Sequence, residues 1–145
     1  NKTGRNTLYY DTDSVIFVER NGESVVETGD LLGDLTDELQ PDTYIKTFLS
    51  TGPKSYSYKL NTDVTVGKIK GISFNYSNDT LIDFESMKQI VFGQVTSVRL
   101  PQSNQISRVK HRGIVYNRSV SKVFRKVFDK RVIGRDTYNT LPYGY

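Results

Sequence analysis

Asp11 and Asp13 stand one residue apart within LYYDTDSVIF, residues 8 to 17, where one apolar run stops and another resumes at once. Side chains at i and i+2 of an extended or tightly turned segment project to the same side, so the two carboxylates are expected to emerge together. Carboxylates held this close repel, which raises the pKa of at least one unless a cation shares the site. A hard cation such as Mg²⁺ fits, because it prefers oxygen ligands and takes one or two carboxylates alongside substrate phosphates. The spacing does not suit an EF-hand, which requires a loop glycine and a closing glutamate that this stretch lacks. The competing reading is an exposed acidic turn, for which Asp, Thr and Ser are all suitable residues.

The elements that must hold these aspartates read mainly as strands. Leu8 to Tyr10 and Val15 to Val18 are short β-branched or aromatic runs on either side of a polar tetrapeptide, the pattern of a tight hairpin. Asn21-Gly22 marks a turn, and LLGDLTDEL, residues 31 to 39, reads equally as a short helix or an extended segment. YIKTFL, the turn residues STGP and KSYSYKL form a strand pair in which Tyr56 and Tyr58 share one face and Ser55 and Ser57 the other. VTVGKIKGISF is a further strand, with Gly67 and Gly71 where the backbone bulges or approaches a ligand closely. One helix is expected over FESMKQIVF, capped by Asp83 and closed by Gly93. Beyond Pro101 the pattern returns to strands in QISRVKH, IVYNR and KVFRKVFDKRVI, the last without clean alternation. The fold class expected is α+β, mostly antiparallel β with one or two short helices. A composition shift near residue 72 divides the chain into 1–72 and 73–145.

With 145 residues and 36 % hydrophobic content, the chain suits one compact domain or part of a larger one. No apolar stretch approaches the roughly 20 residues of a membrane span, so no membrane partner is expected. Cysteine is absent, which excludes disulfides and thiolate metal sites and fits an intracellular setting. The first residue is Asn, consistent with a piece of a longer chain. The net charge of +4 conceals an asymmetry: residues 1 to 50 hold four basic and ten acidic side chains, net −6, and the rest is +10. Between Arg108 and Arg135 ten basic residues face the single acid Asp129. An acidic front and a basic back suit a chain that holds cations at one end and a polyanion at the other.

Tyr9-Tyr10-Asp11-Thr12-Asp13-Ser14 has the pattern Y-x-D-T-D-S and resembles motif C of the family B DNA polymerases. In the same order, Lys54-Ser55-Tyr56 resembles their K-x-Y motif and Lys68-Ile69-Lys70-Gly71 their K-x-K-G element. LGDLTDEL, GPKSYSY and the closing TLPYGY look most like the protein-primed branch, the virus-like and Polinton-type enzymes. The resemblance implies a palm piece over 1–72 and a small β-rich, basic thumb over 73–145. It also implies nucleotidyl transfer assisted by two Mg²⁺ ions, which in such sites stand about 3.5–4 Å apart. By resemblance Asp13 is the direct metal ligand and Asp11 supports it, while Thr12 and Ser14 shape the turn and Tyr9 packs beneath. Lys54 and Tyr56 would hold the primer terminus, the lysine as a point charge and the tyrosine as a flat face with a hydroxyl. Lys68, Lys70 and Gly71, with Arg108, Lys110 and Arg112, would grip the duplex backbone. The implied partners are primer–template DNA, deoxynucleoside triphosphates, the upstream part of the polymerase and a terminal priming protein. A viral or mobile-element origin is implied as well.

Two elements of the family pattern are absent: the motif A aspartate of D-x-x-S-L-Y-P and the motif B lysine of K-x-x-x-N-S-x-Y-G. The expectation is therefore a C-terminal fragment, inactive alone, with half of its metal ligands elsewhere and with exposed strand edges that limit solubility. A non-catalytic nucleic-acid-binding module is the alternative. A self-sufficient nuclease is the third reading, and it requires Asp34 or Asp37 to meet Asp13 in space.

Overall fold

The computed structural model describes residues 6–20, 26–72, 82–127, 129, 131–133 and 140–142, with the backbone alone at 103, 104, 133, 140 and 142. It divides into two compact units, Asn1–Thr43 and Tyr44–Tyr145. The fold is α+β and dominated by antiparallel β structure, with one short helix among the described residues.

In the first unit, β1 (Thr7–Asp11) and β2 (Ser14–Phe17) form an antiparallel hairpin in which Tyr9 faces Ile16, Tyr10 faces Val15 and Asp11 faces Ser14. The register shifts between Thr7 and Tyr9, so Leu8 is an extra residue on β1. Residues 31 to 39 form neither a helix nor a strand; Thr28 and Leu35 make an isolated parallel bridge around a turn. The cause is local. The Asp34 carboxylate accepts from the Leu31 N–H at 3.0 Å, Asp37 accepts from the Leu39 N–H at 2.9 Å, and Gly33 lies at φ 100°. Short acidic side chains here take the backbone donors that a helix would need.

The second unit begins with a three-stranded antiparallel sheet, β3 (Ile45–Gly52), β4 (Ser55–Leu60) and β5 (Thr65–Ile69), with β4 in the centre. Helix α1 (Phe84–Val91) packs against it, burying Phe84, Met87 and Ile90. Both helix ends are closed by local chemistry. Asp83 accepts from the Ser86 N–H at 2.8 Å and from the Ser86 hydroxyl at 2.7 Å. At the other end Gly93, at φ 76°, donates to the Ile90 carbonyl and Gln94 donates to that of Gln89, the paired bonds of a Schellman ending.

A ribbon of two long strands follows, β6 (Ser97–Arg108) and β7 (Val115–Arg125), and then the short pair β8 (Arg131–Ile133) and β9 (Thr140–Pro142). β6 begins before Pro101 and runs through it, with Pro101 opposite Ser121. Pro is tolerated because each strand of a two-stranded ribbon has one unpaired edge. The core gathers Ile69 from β5, Ile82, Met87 and Ile90 from α1 and the residue before its cap, Leu100 from β6 and Phe124 from β7. It thus draws on residues from both sides of residue 72. Among the described residues no helix is long and apolar enough to cross a membrane.

Candidate functional site

The tip of the β1–β2 hairpin is the two-residue turn Thr12–Asp13. Asp11 ends its strand half-buried, and Asp13 is exposed within the turn. The strand alternation expected to align the two carboxylates stops at Asp11, because Thr12 turns to φ 44°. Their shared position at the tip therefore comes from the tightness of the turn rather than from the period of the strand. The Thr12 hydroxyl donates to Asp11 Oδ1 at 3.3 Å, and the Ser14 hydroxyl donates to the Asp11 carbonyl at 3.1 Å. Both hydroxyls of the motif thus tie the turn to Asp11. Tyr9 is half-buried two residues before Asp11 on the same face of β1, whereas Tyr10 is exposed.

Among the described residues no three or more Asp, Glu or His side chains come together to hold a metal ion. Asp34 and Asp37 are turned into their own loop, where they hold the backbone amides of Leu31 and Leu39. The self-sufficient nuclease therefore lacks the carboxylate cluster it requires among the described residues. Two carboxylates at an exposed tip still fit the donor set of a hard cation that completes its shell from phosphates and water.

In the second unit, Pro53 and Lys54 form the turn between β3 and β4, with Gly52 opposite Ser55. Lys54 has φ 55°. Proline at the first central position and positive φ at the second make the pattern of a type II turn, whose second position ordinarily takes glycine. The turn is held by polar contacts: the Ser50 and Thr51 hydroxyls both donate to the Ser55 carbonyl, at 3.4 and 3.3 Å. Thr51 is buried and its carbonyl accepts from the Val127 N–H at 2.8 Å. At Gly52, with φ 141°, an added Cβ would press into the Val127 carbonyl, so this position requires glycine.

The β4 alternation runs opposite to a simple hydrophobic pattern. Ser55 and Ser57 are buried on the helix side, and Tyr56 and Tyr58 are half-buried on the other. Small residues on the inner face allow α1 to approach, and Ser57 satisfies its hydroxyl by donating to the Val66 carbonyl at 2.8 Å. On the outer face Tyr56 stands between Phe48 and Tyr58, at ring-centroid distances of 5.9 and 6.4 Å. Lys68 lies directly opposite Tyr56 on β5. Lys54, Tyr56 and Lys68 are thereby collected on and beside one three-stranded sheet.

Lys70 does not continue the strand face of Lys68 as expected. β5 ends at Ile69, and Lys70 opens a turn in which the Ile72 N–H donates to the Ile69 carbonyl at 3.1 Å and Gly71 sits at φ 73°. The left-handed glycine redirects the chain, and the Lys70 N–H donates to the Ser55 hydroxyl oxygen at 3.2 Å. The K-x-K-G turn is thus tied to the first residue of β4, one position before Tyr56.

Arg108 ends β6, and Lys110 and Arg112 lie in the connection to β7; all three are exposed. His111 at φ 68° and Gly113 at φ 63° shape that connection. Opposite-strand pairing puts Arg108 with Val115 and Gln105 with Arg118, so the distal ribbon mixes cations with exposed Ile106, Ile114, Val115 and Tyr116. Sequence reasoning missed Gly52 and Thr51 as the anchors of the Lys54 turn. The dipeptide Thr-Gly before Pro-Lys carried the signal for a turn, and the Val127 contact that fixes it is distant in sequence.

Searches against protein-family models, curated proteins and solved structures found no match to this chain.

Proposed function

We propose that the chain is the C-terminal palm and thumb part of a family B DNA polymerase of the protein-primed, virus-like or Polinton-like type. It would contribute a metal-binding aspartate and primer–template contacts to nucleotidyl transfer, and the remaining ligands would come from an upstream region. The observation that carries the reading is where the backbone is strained. Five non-glycine residues among those described have positive φ: Thr12, Asp42, Lys54, Asp63 and His111. Asp and His are enriched in that conformation, whereas a β-branched threonine there is a genuine outlier and lysine has no such enrichment. The two that call for an explanation, Thr12 and Lys54, fall in the Y-x-D-T-D-S and K-x-Y patterns. Strain of this kind persists where the surroundings over-determine it, and functional sites are where it gathers.

In this reading Asp13, supported by Asp11, would hold Mg²⁺, with Thr12 and Ser14 fixing the turn. The bound ions would supply Lewis-acid stabilisation of the attacking 3′ oxygen and the leaving pyrophosphate. Lys54 sets a positive charge against the primer-end phosphate, and Tyr56, braced between Phe48 and Tyr58, offers a ring and a hydroxyl to the terminal nucleotide. Lys68, Lys70, Arg108, Lys110 and Arg112 bind phosphates without reading bases.

Fluorescence anisotropy with DNA of equal length but different ends tests this. The chain is expected to prefer a recessed 3′ end over a blunt duplex, and Lys54→Ala or Tyr56→Ala should erase the preference while duplex binding persists. Equal affinity for both ends in the unaltered chain would favour the alternative, a nucleic-acid-binding module without a catalytic role.

A further inference from the structure

The run KVFRK at the end of β7 reverses the usual placement of lysine and valine. Lys122 lies opposite the buried Leu100, and Phe124, itself buried, lies opposite Val98. Val123, between them, faces outward and is 55 % exposed, and Arg125 on the same side is exposed too. A surface evolved only to hold phosphates would turn valine inward and lysine outward. The inner position has a use instead. The Lys122 amine donates to the Gly71 carbonyl, a residue 51 positions earlier, and the Lys126 amine donates at 3.3 Å to the Val91 carbonyl in the last turn of α1. Lysine stems pack over apolar surface while the amine reaches a polar partner, and a cation at a helix C-terminus is favoured.

From this geometry we infer that Lys122 is a positioning residue: it fastens the Lys70–Gly71 turn to the β6–β7 ribbon and is not itself a phosphate contact. The peptide unit between Gly71 and Ile72 is gripped at both ends. Its carbonyl accepts from Lys122 and its N–H donates to the Ile69 carbonyl, while the Lys70 N–H is held by Ser55. Gly71 is the residue with most backbone freedom to lose, so an outside restraint has the greatest effect there. The ribbon and the K-x-K-G turn then form one frame, and the backbone that carries Lys70 keeps its place relative to β7. Its purpose rests on the nucleic-acid reading above, whereas the tether itself does not.

Hydrogen exchange of the Ile72 amide in the free 145-residue chain tests the tether. Lys122→Met, which keeps the stem and removes the amine, should speed that exchange about tenfold, the loss expected for one charge-assisted bond. Lys122→Arg should restore most of the protection, and Lys126→Met should leave Ile72 unchanged. Should Lys122→Met fail to fold, Lys122→Gln, too short to reach, is expected to give the same acceleration. Unchanged exchange in a folded Lys122 variant overturns the inference. A double-mutant cycle with Lys70→Met on duplex affinity tests its purpose: Lys122→Met should weaken binding in the unaltered chain and add nothing once Lys70 is gone. Additive losses, each lowering the salt slope, would make Lys122 a phosphate contact and overturn the inference. If the unaltered chain binds no duplex, the nucleic-acid reading falls, and the exchange result still decides the tether.

Discussion

A lysine held at positive φ costs the fold about 1 kcal/mol, because its Cβ crowds the following carbonyl oxygen. Lys54 accepts that cost at a turn position where glycine would fit without strain. Thr12 does the same with a β-branched side chain. Glycine would hold this turn without that strain. Lys54→Gly is therefore expected to raise stability by about 1 kcal/mol in urea unfolding, and to remove the preference for a recessed 3′ end. Lys54→Ala should lose the preference without the gain. A Lys54→Gly protein less stable than its parent would mean that the lysine side chain holds the turn, and strain would no longer mark it as functional.

At the scale of elements, the helix and the hairpins were legible because their signals are local. The N-cap Asp83 and the closing Gly93 lie within one turn of the ends they finish, so their residue types announce α1 directly. The bonds from Ser86 hold the Asp83 carboxyl below its usual range, the Ser86 hydroxyl first and its N–H next. A carboxyl lowered on folding stabilises fully above its unfolded value near 3.8 and loses that contribution as pH falls through the folded value. Asp83→Ala is accordingly expected to cost about 1 kcal/mol at neutral pH, and the cost should shrink in thermal melts taken below the folded value. An equal cost at both pH values would assign the cap to packing and not to the charged acceptor. Where partners are distant, legibility ended. Lys122 and Lys126 read as two more surface cations because the carbonyls they serve lie 51 and 35 residues away. The turn at Lys70 escaped for a related reason: KIK alternates like a strand, and only the left-handed Gly71 ends it. Residues 31 to 39 kept both readings open because apolar spacing suited a helix while the aspartates suited turns, and the aspartates prevailed.

The whole molecule separates charge along its structural division. The unit 1–43 carries three basic and ten acidic residues, net −7, and the unit 44–145 carries seventeen basic and six acidic, net +11. In the proposed reading the first unit would hold cations and the second would hold a polyanion. The α+β class and its β-rich character followed from strand-like runs separated by turn residues, and the division after Thr43 falls where acidic side chains give way to basic ones. Replacing Arg108, Lys110 and Arg112 together by Gln should lower the slope of log affinity against log salt by about 0.9 for each phosphate no longer neutralised. Binding should remain indifferent to base order. A slope that does not change would remove the ribbon tip from the interface and leave the sheet around Tyr56 as the site.

If the Asp11–Asp13 turn holds its ion at the primer end, the position of that ion can be read directly on DNA. Fe²⁺ supplied in place of Mg²⁺, with peroxide and ascorbate, cuts nucleic acid close to wherever the ion is held. With the chain bound to a primer–template, strand breaks are expected to cluster at the primer terminus and to vanish in Asp13→Asn while DNA binding persists. Breaks spread evenly along the duplex, or a cluster that survives Asp13→Asn, would contradict the account.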